Sequence, residues 1–176
     1  MKPFLVVIFL VTFHVTAFGV KMRFTNLKCE NLRPDFSVFK ECRLTVVKRD
    51  IISLNFNVKL LKPPVTNVTV ILSFFKKYSG YRPYIYNLTV DFCKFMKNTS
   101  RYPYAKLFLD AILKDSNVNH TCPFDHNIIV KDLILDESKF KYFPIPSGDY
   151  MLRIKIAAYN DWKGDIKVYY SILADL

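Results

Sequence analysis

Residues 52–60 read Ile52-Ser53-Leu54-Asn55-Phe56-Asn57-Val58-Lys59-Leu60, an apolar side chain at every second place with a polar one between. Successive side chains of a strand point to opposite faces, so this alternation predicts a strand with one face buried. Lys62-Pro63-Pro64 ends it, because proline cannot donate to a ladder. Further along, Val68, Val70, Leu72 and Phe74 share one face of a second run, and Ser79-Gly80 supplies a turn. Tyr84, Tyr86, Leu88, Val90 and Phe92 share a face of a third. Ile128 and Val130 make a shorter alternation, and residues 151–159 and 166–172 are two more strands. Trp162-Lys163-Gly164-Asp165 reads as the hairpin connection between those two, and Gly80, Gly148 and Gly164 all fall between strand candidates.

One segment departs from the period of two. Between Tyr104 and Lys114, the residues Leu107, Phe108, Ala111 and Ile112 recur as one helical face. About seven short strands with one short helix before the last cysteine predict a mainly β protein, a two-sheet antiparallel β-sandwich. The apolar face of the helix either plugs one end of the sandwich or lines a cavity.

The chain has 176 residues, which suits one domain. Lys and Arg number 26 against 15 Asp and Glu, for a formal charge of +11, and 51% of residues are hydrophobic. This composition excludes a disordered tail, a collagen-like fibre and a cysteine-dense mini-protein. The cations are spread along the chain, densest at Lys76-Lys77 and at Lys139 and Lys141, so nucleic acid is not expected as a partner. A solvated surface accounts for most of them, with attraction to anionic headgroups or extracellular polyanions as the functional alternative.

The first 19 residues read as a signal peptide. Lys2 precedes an apolar stretch from Phe4 to Phe13, and Ala17-Phe18-Gly19 offers a small-x-small cleavage pattern before Val20. Residues 20–176 are then expected to form a single secreted, extracellular domain. Sequons at Asn67, Asn87, Asn98 and Asn119 agree with that address, and each asparagine must face solvent if glycosylated. Outward Asn67 and Asn87 place Val68, Val70 and Leu72, and then Leu88, Val90 and Phe92, on the inner face. Cys29, Cys42, Cys93 and Cys122 are an even set, as a disulfide framework requires. Four cysteines allow three connectivities, and spacing alone does not choose among them. Pairing Cys29 with Cys42 and Cys93 with Cys122 closes the shortest loops and is the working expectation.

No catalytic motif stands out. His120 and His126 are the histidines beyond the leader, and no G-x-S-x-G, H-E-x-x-H or phosphate-binding glycine loop is present. No C-x-x-C or H-x-x-x-H accompanies the cysteines, so neither a metal nor another cofactor is expected, and the chain does not read as an enzyme.

Four strings carry a family resemblance: Phe24-Thr25-Asn26-x-x-Cys29, Asn87-x-Thr89-x-Asp91-x-Cys93, Ser116-Asn117-Val118-Asn119-His120-Thr121-Cys122-Pro123-Phe124 and Pro144-x-Pro146-x-Gly148-Asp149-Tyr150. Together they resemble a large insect family of small secreted proteins with a domain of unknown function, over essentially all of residues 20–176. That family is similar to the ML lipid-recognition proteins, which include the ganglioside activator and sterol carriers, and some insect members are chemosensory. The resemblance implies an immunoglobulin-like sandwich with a lipid-sized space between its sheets. It also favours pairing Cys93 with Cys122, and it brings no shared catalytic residues. ML proteins commonly have six cysteines, where this chain has four.

The functional expectation is a secreted carrier for a lipid or other hydrophobic small molecule, with a receptor or membrane surface as a second contact. Phe56, Val58, Val70, Leu72, Leu88, Val90 and Phe92 would line the space, and Leu107, Phe108 and Ile112 would close one end. The alternative is an extracellular protein-interaction module with a filled core and no ligand.

Overall fold

The alternating segment forms the middle strand of the smaller of two sheets. The computed structural model describes residues 20–85, 87–135 and 146–174. The expected signal peptide, Tyr86, Lys139 and Lys141 lie outside them. Among the described residues the strands are β1 (Val20–Asn31), β2 (Ser37–Lys48), β3 (Ile51–Leu60), β4 (Val68–Lys77), β5 (Tyr81–Pro83), β6 (Leu88–Asp91), β7 (Ile128–Leu133), β8 (Gly148–Ala158) and β9 (Asp161–Ala174). Two α-helices, α1 (Phe92–Lys97) and α2 (Pro103–Ile112), lie between β6 and β7.

Six strands form one antiparallel sheet in the order β1-β9-β8-β4-β5, with β6 also pairing to β4, and β2-β3-β7 form the other. The molecule is the β-sandwich that the alternation predicts. Its inner faces carry Phe24, Ile166 and Val168 from the large sheet against Leu54, Val130 and Leu133 from the small one.

Two strands escape a reading by period because bulges break it. β1 shifts register between Phe24 and Asn26, and β2 between Phe39 and Glu41 and again between Val46 and Lys48. Each bulge inserts a residue, so the apolar parity changes sides within the strand. The third expected strand is also interrupted. β5 and β6 pair separately with β4, and the chain turns helical at Phe92, where Asp91 Oδ1 caps α1 by accepting from Lys94 N at 3.0 Å.

The hairpin between β8 and β9 turns at Tyr159-Asn160, three residues before the expected place. Both residues have left-handed φ, 54° and 59°, as a two-residue turn matched to strand twist requires. Gly164 lies inside β9, paired to Asn31 and Ile156. The polar parity of β3 differs as well. Ser53 and Asn55 are buried, and Asn55 accepts from Asp132 N at 2.8 Å, where the backbone has φ of 54°.

One disulfide joins the two sheets and the other ties a helix to the loop that leads into the small sheet. Cys29 of β1 is bonded to Cys42 of β2, and Cys93 of α1 is bonded to Cys122, just before β7. The pairing is the one that closes the shortest loops.

Candidate functional site

Between the sheets lies a cavity of about 1090 Å³, just above the ~300–1,000 Å³ range of ligand pockets. Strand alternation builds its walls. Val68, Val70, Leu72 and Phe74 of β4 face it from the large sheet, with Leu152, Ile154 and Ile156 of β8 beside them. Leu54, Phe56, Val58 and Leu60 of β3 face them from the small sheet. β6 adds Leu88 and Val90, and α1 begins with Phe92 on the same wall.

Helix α2 closes one side. Pro103 stands at its first position, where a missing N–H costs nothing. Ala105, Phe108, Leu109 and Ile112 then follow at spacings of three, one and three, and all four face the cavity. The expected helical face is largely this one, since Ala111 lines the cavity as well. Phe108 and Ile112 belong to it, but Leu107 does not reach the cavity wall. Ala105 and Leu109 are the fully buried pair, packed with Val90, Phe95 and Val118. Of the other expected lining residues, Phe56, Val58, Val70, Leu72, Leu88, Val90 and Phe92 all lie on the wall.

The opening is marked by exposed apolar groups on that wall: Ile85, Tyr104 and Ile134. Asn87, an exposed sequon residue, borders the same region. Asn67, Asn98 and Asn119 are also exposed, as sequon use demands.

Aromatic rings line both ends. Phe74 meets Phe108 with centroids 5.0 Å apart, and Phe92 lies 6.0 Å from Phe124. Near the end of β4, Tyr150 stacks on Tyr170 at 5.6 Å and meets Tyr84 edge-on at 5.6 Å. Burial lifts the Tyr150 hydroxyl above its ordinary range, opposed by the hydrogen bond with Lys76. That bond raises the Lys76 ammonium in turn. Burial likewise holds Tyr170 well above the usual tyrosine range, so both phenols stay neutral at physiological pH.

The two histidines, separated by five residues in sequence, meet. His120 Nε2 lies 2.7 Å from His126 Nε2, with His120 Nδ1 at 2.7 Å from Thr121 O and His126 Nδ1 at 2.8 Å from Asn127 O. Asn117 anchors this loop to β7 by accepting from Ile129 N at 2.8 Å and donating to Asn127 O at 2.6 Å. Sequence reading misses the pair because its contact depends on a loop and not on a repeat. Phe124, between the two in sequence, is 4.8 Å from the His120 ring and lines the cavity. Among the described residues no group of three or more His, Cys, Asp or Glu is placed to hold a metal ion.

The segment that supplies most of this wall is also the one that matches known proteins. Residues 70–152 match the family model described as Protein of unknown function (DUF1091). The matched stretch runs from within β4 into β8 and contains the Cys93–Cys122 disulfide, both helices and the histidine pair. No curated protein matches the chain. Among the described residues, no helix is long and apolar enough to cross a membrane.

Proposed function

We propose that this protein is a carrier that encloses a lipid or other hydrophobic small molecule between its sheets. The observation that supports this reading is the cavity of about 1090 Å³ with an almost wholly apolar wall. Its walls bring together side chains that a filled core would press against one another. Each methylene that enters contributes ~0.8 kcal/mol, so a long chain supplies on the order of 10 kcal/mol gross, reduced by the cost of ordering it.

Two disulfides and four exposed sequon asparagines support an oxidising, secretory route, with Asn67, Asn87, Asn98 and Asn119 as glycan sites. A secreted glycoprotein carrying a lipid-like chemical signal, as in chemosensation, is the form the reading takes. It assigns no catalysis to the chain.

Native mass spectrometry of the secreted, deglycosylated protein tests it. A mass excess of a few hundred daltons that disappears on denaturation is expected. No excess, even after incubation with a mixed lipid extract, overturns the reading in favour of an interaction module.

A further inference from the structure

The cavity wall contains one charged side chain among the described residues, Lys163. It arrives there through a bulge. The β8–β9 register pairs Ile156 with Gly164 and Ala157 with Trp162, leaving Lys163 as the extra residue. Gly164 faces the cavity, so an unbroken alternation would turn its neighbour to the outer face. The bulge instead puts both on the inner side, re-aiming the lysine.

The Lys163 side chain is 13% exposed, with Nζ 2.9 Å from Asp161 Oδ2 and 4.5 Å over the ring of Phe36. Asp161 also accepts from Arg33 Nε at 2.9 Å. Asp161 and Asp35, which also faces Arg33 and pairs with Lys62, therefore answer three cations, and this end of the cavity keeps a surplus positive charge. Ser37, 5% exposed, lines the same end. A cation beside hydrocarbon favours a partner of opposite charge.

We propose that the occupant is a long-chain acid, its hydrocarbon lying between the sheets and its carboxylate against Lys163 Nζ near Phe36 and Ser37. This rests on the carrier reading above and names the chemistry of its cargo.

Displacement of the neutral fluorescent probe N-phenyl-1-naphthylamine by palmitic acid, and by its methyl ester, separates the two. The parent protein is expected to bind the acid about 10-fold or more tightly than the ester. Lys163→Met removes the ammonium while keeping an unbranched side chain, and should bring the acid down to the affinity of the ester measured on the same variant. Asp161→Asn releases the ammonium from its internal partner and should raise the affinity for the acid alone, which keeps the test open if Lys163→Met fails to fold. Equal binding of acid and ester by the parent, or an acid preference that survives Lys163→Met, overturns the assignment and leaves the carrier standing. If probe, acid and ester all fail to bind, the carrier reading itself falls.

Discussion

At Tyr159-Asn160 two consecutive residues adopt left-handed backbone, a conformation costly for most L-residues and least so for glycine and asparagine. Asn160→Val should therefore destabilise the fold by about 1–2 kcal/mol, while Asn160→Gly stays within about 0.5 kcal/mol of the parent in urea unfolding. Tyr159 holds its strained position with its hydroxyl, which accepts from Thr66 N at 3.1 Å and donates to Pro64 O at 3.2 Å. Gly148 is constrained differently. Its φ is 144°, and a Cβ there would lie 3.2 Å from Lys76 Cε. The reading of glycines as punctuation succeeds at Gly80 and fails at Gly164, because a strand glycine beside the Phe39 ring looks the same in sequence as a turn. Lys163 was hidden for the same reason, since a one-residue bulge leaves no mark in the pattern.

A second prediction at this scale concerns pH. Asp149 accepts from the Ser171 hydroxyl at 2.6 Å, and this bond, with help from Lys77 and against burial, holds its carboxyl below the ordinary 3.8. A carboxyl depressed on folding contributes stability above its unfolded pKa and loses it as pH falls through the folded value. Its side chain is 46% exposed, so screening limits the effect. Asp149→Asn should cost at most about 1 kcal/mol at pH 7. Denaturant curves of variant and parent should converge as the pH drops below 3.8.

Elements were legible where their period was unbroken. β3, β4, β8 and the stretch of β9 beyond its bulge, from Ile166, announce themselves by alternation, and the inner parity of β4 agrees with an outward Asn67. β1 and β2 do not, because their bulges move the apolar residues from one parity to the other. α1 escapes the reading because Phe92, its first residue, continues the alternation of β6, and the signal for its start, Asp91 as a cap, is a single residue. The disulfides have separable roles at this scale. Cys29–Cys42 spans 13 residues and Cys93–Cys122 spans 29, so loop entropy alone gives about 3 and 3.6 kcal/mol. Replacing each pair by serine should lower the urea midpoint by a similar amount. Only the Cys93/Cys122 pair, which ties down the segment holding α1 and α2, should also weaken binding of a neutral lipid. Probe displacement on both variants measures the difference.

For the whole molecule, a cavity this large leaves stability dependent on what fills it. Ligand at 100 times its Kd should add ~2.7 kcal/mol, seen as a rise in the thermal midpoint that grows with ligand concentration. A filled-core module would show one transition that lipid does not move. The sandwich itself could be read from alternation and spacing, but its hollowness could not. Phe56, Val70 and Leu72 would serve a solid core equally well, and only the space between the two sheets distinguishes the cases.

The placement of the disulfides has a consequence for exchange kinetics. One bond ties β1 to β2 along one margin of the sandwich, and the other ties α1 to the approach of β7 along the opposite margin. With both margins stapled, the sheets cannot part like the covers of a book. On the carrier reading proposed above, cargo then passes endwise, beside Ile85, Tyr104 and Ile134. The off-rate should follow the motion of those end segments instead of global unfolding, and a variant that lowers stability elsewhere should leave residence time unchanged.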